Sequence, residues 1–207
     1  MLEIVDICKA FGGNAVLCGA GLVLRPGECL GLAGRNGCGK STLMRIAAQI
    51  MRPDSGRILL DGKNVLGDRQ FLRKRLGYVP QEDALCDFLT AGQQLRLWRS
   101  AVNAADEETA ELLELDRLAD KPVSRMSGGE RKRLSIAMAL QSRPDYLLMD
   151  EAFSALDAVY RERMSQWISD NCYRGMSVLW CSHNADELER LCAHVCALEE
   201  GQIRRIR

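Results

Sequence analysis

The chain is 207 residues long and 47% hydrophobic, enough for one domain with a sizeable core. Lysine plus arginine and aspartate plus glutamate number 28 each, so there is no global basic field to recruit nucleic acid or anionic lipid. No apolar run approaches the ~18 residues of a membrane span, and the nine cysteines are odd in number, scattered and without a signal peptide, which reads as reduced, mostly packed thiols.

Residues 2–8 alternate well enough for a strand, 11–14 form a glycine turn, and 16–24 form a second strand with a glycine-marked irregularity at 19–21. Arg25, Pro26 and Gly27 turn the chain into a third strand, 28–33. That strand feeds Gly34-Arg35-Asn36-Gly37-Cys38-Gly39-Lys40-Ser41-Thr42, and a helical pattern, 43–51, follows. A G-x-x-x-x-G-K-S string between a strand and a helix is a phosphate-binding loop and predicts a nucleoside triphosphate. The glycines let successive N–H groups face phosphate, and the helix N-terminus adds partial positive charge there. Lys40 can reach the β and γ phosphates, and Ser41 can ligate Mg²⁺. Cys38, inside the loop beside Lys40, is expected to favour its thiolate, so its modification should block nucleotide binding.

Pro53 to Gly56 stops the helix, 56–60 makes a strand, and Asp61-Gly62 a turn. A short basic stretch, 71–76, precedes a strand and loop at 77–81. From about 84 to 125 the character is helical, with Leu112, Leu115 and Leu118 on one face of a helix over 107–118. This reads as a helical subdomain, 84–125, inserted in a core of 1–83 and 126–207, all within a single domain. Ser127-Gly128-Gly129 opens a helix to about 141, with Arg131, Lys132 and Arg133 expected on its solvated face. Residues 146–150 form a buried strand closed by Asp150 and Glu151, 158–172 a helix, 176–181 a buried strand and 185–192 a helix, before final strands near 194–198 and 202–206. Such alternation argues for a largely parallel sheet covered by helices. Cys192, His194 and Cys196 lack a second ligand pair for zinc, and His194 reads as structural.

As an ordered set from Phe11 to His183, these motifs resemble the ATPase subunit of an ATP-binding cassette (ABC) transporter, leaning toward bacterial exporters. The resemblance implies an α/β P-loop NTPase core of ABC ATPase type, with a small antiparallel β subdomain and the inserted helical one. It implies that Phe11, where the family usually has tyrosine, stacks on adenine, and that Gly34 through Thr42 hold the phosphates. Gln81 matches the glutamine loop, reaching Mg²⁺ and the attacking water and hinging the insert to the core. Met126-Ser127-Gly128-Gly129-Glu130 resembles the signature sequence, whose Ser127, Gly128 and Gly129 contact the γ-phosphate held by a second cassette. Glu130 departs from the usual glutamine, and the expectation is that it points along the helix toward Arg133. Asp150 helps hold Mg²⁺ with Ser41 and Gln81; Glu151 is the general base; His183 is the switch histidine bridging γ-phosphate and Glu151. Ala152 stands where proline is common, which is expected to loosen the turn after Glu151. Ser154 to Asp157 matches the loop that crosses the dimer, with Asp157 part of the nucleotide site.

The implied activity is ATP hydrolysis with ATP and Mg²⁺ in a head-to-tail homodimer, or a heterodimer with a related cassette. The implied partners are transmembrane permease subunits on separate chains, which places the protein in the cytoplasm, peripheral on the inner face of the cell membrane. Leu85, Phe88, Leu97 and Trp98 either line the groove that receives those subunits or pack the insert's own core. No nucleic acid is expected. The alternative is a soluble ABC ATPase working on nucleic acid or in iron–sulfur assembly.

Overall fold

The computed structural model describes residues 1–207 except Asn103 and Ala105, with Ala185 described by its backbone. Strands β1 (Leu2–Phe11) and β2 (Asn14–Leu24) pair as an antiparallel hairpin in which Phe11 faces Asn14, so the turn is Gly12 and Gly13 alone. β4 (Ser55–Leu60) joins the free edge of β1, and β5 (Lys63–Asn64) joins β4, giving a four-stranded sheet ordered β2-β1-β4-β5.

A second sheet holds β3 (Cys29–Ala33), β6 (Leu76–Val79), β7 (Tyr146–Asp150), β8 (Ser177–Cys181), β9 (His194–Glu199) and β10 (Gln202–Arg205) in the order β10-β9-β3-β8-β7-β6. Only β10 runs antiparallel to its neighbour. Every residue of β7 and β8 is buried, as near-continuous apolar strands require when both sheet faces are covered. One face, with Leu30, Leu32, Leu148 and Leu179, shares a core with α1 (Lys40–Ala47) and with Ile4, Leu22 and Ile58 of the first sheet. The other, with Leu147, Met149, Val178 and Trp180, packs on α5 (Gly128–Leu140), α6 (Ala158–Tyr173) and α7 (Ala185–Leu191).

The segment after β5 contains α2 (Arg69–Arg75), which sequence had shown only as a short basic stretch. Its start is fixed by Asp68, whose carboxylate accepts the Phe71 N–H at 3.1 Å. Beyond β6 come α3 (Ala91–Val102), α4 (Glu107–Leu112) and 3-10 turns at Leu115–Leu118 and Val123–Arg125. The expected single helix over 107–118 is broken at Glu114, which takes a left-handed backbone (φ 50). The break serves partners elsewhere in the chain: it leaves the Leu113 carbonyl to accept the Arg133 guanidinium at 2.9 Å and Glu114 to pair with Arg117 and Arg163. Leu115 and Leu118 stay buried despite it.

The basic run on α5 is also corrected. Only Arg131 matches a solvated face, pairing with Asp87. Lys132 and Arg133 are 2% and 9% exposed, because the loop after β6 and the break at Glu114 present carbonyls to them.

Candidate nucleotide site

The C-terminal ends of parallel strands leave a crevice where the connections diverge, and β3, β8, β7 and β6 lie side by side. The chain leaves β3 into the loop at 34–39, β8 into Ser182 and His183, β7 into Glu151, and β6 into Pro80 and Gln81. Four motifs far apart in sequence therefore meet along one sheet edge.

Loop geometry explains its glycines. A Cβ on Gly34 (φ 152) would come within 2.9 Å of the Leu198 carbonyl, and one on Gly39 (φ 108) within 2.8 Å of Val16 Cγ1. Gly39 caps α1 with no side-chain bond, and the first intrahelical bond runs from Leu43 N to Gly39 O, so the N–H groups of Lys40, Ser41 and Thr42 remain for a ligand. Arg35, Asn36 and Gly37 are exposed, and Cys38 is half-buried against the core. Lys40 is folded back over the loop, its Nζ donating to the carbonyls of Gly34 at 2.8 Å and Arg35 at 3.1 Å. The Ser41 hydroxyl reaches Gln81 Oε1 at 3.5 Å.

Asp150 is 0% exposed and its Oδ1 is buried without a partner. Its other oxygen has the Tyr78 hydroxyl at 3.5 Å. Burial, and then the Asp150 charge, push the phenol of Tyr78 and the thiol of Cys181 up, so both stay neutral beside it. A buried carboxylate oxygen left short of compensation, at the same strand ends as the paired Ser41 hydroxyl and Gln81 amide oxygen, supplies with them hard oxygen donors of the kind that suit a small divalent cation.

Glu151 sits at φ 50, a strained position for a non-glycine residue. Its N–H is fixed to the Cys181 carbonyl at 2.9 Å, and its carbonyl takes the Ser154 hydroxyl at 2.8 Å. Phe153 packs edge-on against Trp180 with centroids 4.4 Å apart, and Ala152 is fully buried, so the turn expected to be loose without proline is tied down. The Glu151 carboxylate meets His183 Nδ1 at 2.7 Å. His183 is held from behind by Ser182, which accepts the Asn184 N–H and donates to Glu187.

The turn at 127–129 belongs to a different surface. Ser127 and Gly128 are exposed, and Ser127 caps α5 in a reciprocal box with Glu130. Glu130 does not run toward Arg133 as expected; it folds back to the Ser127 N–H and pairs with Lys121 at 2.7 Å, a bond and a charge that together hold its carboxyl below the usual range. A Cβ on Gly129 would lie 3.0 Å from the Ala155 carbonyl, so this turn abuts the 154–157 loop of its own chain. Asp157 caps α6 by accepting the Tyr160 N–H at 3.0 Å. Phe11 ends β1 with its ring 46% exposed and Lys9 Nζ 5.6 Å above it.

Behind Gln81 lies a cavity of about 710 Å³ bounded by α2, α3, α5 and residues 82–85. Leu85 and Trp98 line it; Phe88 and Leu97 are exposed and do not. Lys132, which sequence reasoning missed, joins these parts: its Nζ donates to the Pro80 and Gln81 carbonyls at 2.9 Å each and pairs with Asp83. A tri-basic run carries no sign of which member turns inward.

Loop, strand order and acidic strand end define a P-loop nucleoside triphosphatase. Comparison with known families matches residues 17–154 to the one described as ABC transporter. Nod factor export ATP-binding protein I of Burkholderia thailandensis is 34% identical over 97% of this chain and 68% of its own length. The protein of the same name from Paraburkholderia xenovorans is 36% identical with the same coverage. Among solved structures, the ATP-binding subunit of an ABC transporter superposes with TM-score 0.90 at 24% identity, covering 100% of this chain and 90% of the other. A bacterial ABC transporter cassette solved as a dimer does so at 0.89 and 23%, covering 100% and 99%. The chain belongs to the ABC transporter family, as its ATP-binding, ATP-hydrolysing subunit. Among the described residues no helix is long and apolar enough to cross a membrane.

Proposed function

We propose that this chain powers export through separate membrane subunits, working as a head-to-tail dimer with itself or a related cassette on the inner face of the membrane. The observation that carries the reading is the Glu151–His183 contact at 2.7 Å, at the ends of adjacent strands and beside the unpartnered Asp150 oxygen. The names of its relatives supply the direction of transport.

In this reading the loop at 34–42 binds the triphosphate through backbone N–H groups and Lys40, whose Nζ exchanges its two carbonyl partners for phosphate. Phe11 stacks on the adenine. Ser41, Gln81 and Asp150 would hold Mg²⁺, which when bound neutralises phosphate charge. Glu151 takes the proton of a water aligned on the γ-phosphorus. An ionised carboxylate only accepts, so His183 Nδ1 donates to Glu151, which orients the ring; Nε2 bonds the γ-phosphate only when it carries a proton as well. Ser127, Gly128 and Gly129 close over the ATP held by the partner cassette, and Asp157 borders that junction. ATP affinity for the closed pair over the open one supplies the work.

Residues 84–125 act as the arm that carries this closure to the membrane subunits, with 1–83 and 126–207 as the catalytic body. The cavity between α2, α3 and α5 receives those subunits, with Leu85 and Trp98 on its wall. The test pairs phosphate release with size-exclusion chromatography in ATP. Glu151→Gln should trap an ATP-dependent dimer with turnover nearly abolished. A copy that stays monomeric while hydrolysing at the wild-type rate would overturn the shared site.

A further inference from the structure

Three thiols meet on the side of the sheet away from the nucleotide loop. Cys29 opens β3, Cys192 caps α7, and Cys172 lies in the last turn of α6. Cys29 Sγ is 3.4 Å from Cys192 Sγ, and both are buried. Cys172 is the other sulfur neighbour of Cys29 and is only half-buried. Its place is fixed by the backbone: its carbonyl accepts the Gly175 N–H at 2.9 Å and sits 3.1 Å from where a Cβ on Gly27 would be, just before β3. Among the described residues no group of three or more His, Cys, Asp or Glu is arranged to hold a metal ion, so the cluster is a set of thiols and not a ligand cage.

We propose that these cysteines form a thiol relay, in which a hydroperoxide oxidises Cys172 and the bond is passed inward to leave a reversible Cys29–Cys192 disulfide. The Cys172 thiolate attacks the peroxide, cleaving its O–O bond and giving a sulfenic acid and hydroxide. The Cys29 thiol condenses with that sulfenic acid, releasing water and forming Cys29–Cys172. The Cys192 thiol then attacks Cys29, forming Cys29–Cys192 and returning Cys172 to the thiol. In all, one peroxide takes two electrons from two thiols.

Access and acidity assign the entry point. Cys172 is the most exposed of the three, and the neighbouring Cys29 thiol lowers it toward the thiolate, while its two cysteine neighbours and burial keep Cys29 protonated. The final bond needs the sulfurs to close from 3.4 Å to about 2 Å. Little else must move: α7 already rests on β3, where a Cβ on Gly31 would lie 3.3 Å from Leu188 Cδ2. The bridge would tie the helix that follows His183 to the strand that feeds the phosphate loop.

The whole chain is treated with limiting hydrogen peroxide, quenched, and digested for mass spectrometry, with free thiols counted after denaturation. The thiol count should fall from nine to seven, with one reducible cross-link joining the Cys29 and Cys192 peptides. The oxidised protein should melt roughly 5–10 °C higher than the reduced one. Cys172→Ser should slow bridge formation at least tenfold, and Cys29→Ser or Cys192→Ala should abolish both bridge and shift. Cross-links elsewhere, Cys172 oxidised beyond the sulfenic acid while Cys29 and Cys192 stay alkylatable, or a Cys172→Ser rate equal to wild type would each overturn the relay. The mapping on the unsubstituted chain decides the matter even if a variant fails to fold.

Discussion

The strand-end pocket and the turn at 127–129 are both suited to anions, yet they are built in opposite ways. In the pocket the fold leaves one group unsatisfied and one strained: Asp150 Oδ1 has no partner and Glu151 is held at positive φ, while Lys40 is parked on two loop carbonyls. At the turn the side chains are answered locally, since Ser127 and Glu130 cap one another and Lys121 neutralises the carboxylate, and only the Gly128 and Gly129 N–H groups stay open. A region under such tension gains by binding a charged ligand. A region at rest contributes only when a second anion is carried to it. This contrast is the physical ground for proposing that nucleotide is anchored at the first and completed at the second.

The largest expected effect breaks the pocket and spares its occupancy. Glu151→Gln should cut phosphate release by about 10²- to 10⁴-fold. ATP affinity, measured by equilibrium dialysis, should hardly change, because the loop at 34–42 is untouched. Loss of binding in step with turnover would mean that Glu151 props the site and does no chemistry there.

The next effect concerns the link between the regions, since α5 starts at the turn and fastens the Gln81 loop through Lys132. Lys132→Met leaves two carbonyls and Asp83 without their cation, and should cost about 3 kcal/mol in urea unfolding. Arg131→Met, one residue earlier, removes a pair whose Asp87 side chain is 58% exposed, and should cost below about 1 kcal/mol. Equal costs would return the basic run to a solvated face.

A smaller change isolates the turn. Gly129→Ala puts a methyl 3.0 Å from the Ala155 carbonyl, tight enough to displace one of the two loops. Turnover should drop about tenfold, a loss of ~1.4 kcal/mol in transition-state stabilisation. Nucleotide binding to an isolated copy should be unaffected. A matching fall in that binding would show that the turn serves its own chain's pocket.

Much of this was legible in sequence wherever chemistry and periodicity coincide. The glycine loop, the apolar run into Asp150 and the alternation of strands and helices placed β3, β7, β8 and the parallel sheet. What escaped depended on partners distant along the chain. The break at Glu114 answers Arg133, nineteen residues on, and the direction taken by Lys132 answers carbonyls some fifty residues back. Glu130 was misdirected for a different reason: helix spacing favours Arg133, but the nearby Ser127 N–H and Lys121 take its carboxylate while Arg133 turns to the Leu113 carbonyl. α2 did carry a local signal in Asp68, ahead of a run too short and basic to show an apolar face.

The smallest effect tests whether the turn is truly at rest. The folded chain holds the Glu130 carboxyl below its ordinary value of 4.5, chiefly through Lys121 and then through the Ser127 N–H. A carboxyl depressed on folding adds stability above its unfolded value, and that stability is lost as pH falls through the folded value. Glu130→Gln keeps an amide oxygen for the Ser127 N–H and removes only the charge, so it isolates the ion pair. Lys121 is 36% exposed, so at pH 7 the variant should be less stable by under about 1 kcal/mol. The difference should shrink as pH drops below about 4.5, where the carboxyl of the unfolded chain takes up its proton before that of the folded one. Because Lys121 already cancels the charge, turnover in Glu130→Gln should stay within about twofold of wild type, whereas Lys121→Met bares a carboxylate at the turn and should lower it further. The reverse ranking would mean that Glu130 faces the incoming phosphate uncompensated, and the contrast between a strained pocket and a settled turn would fail.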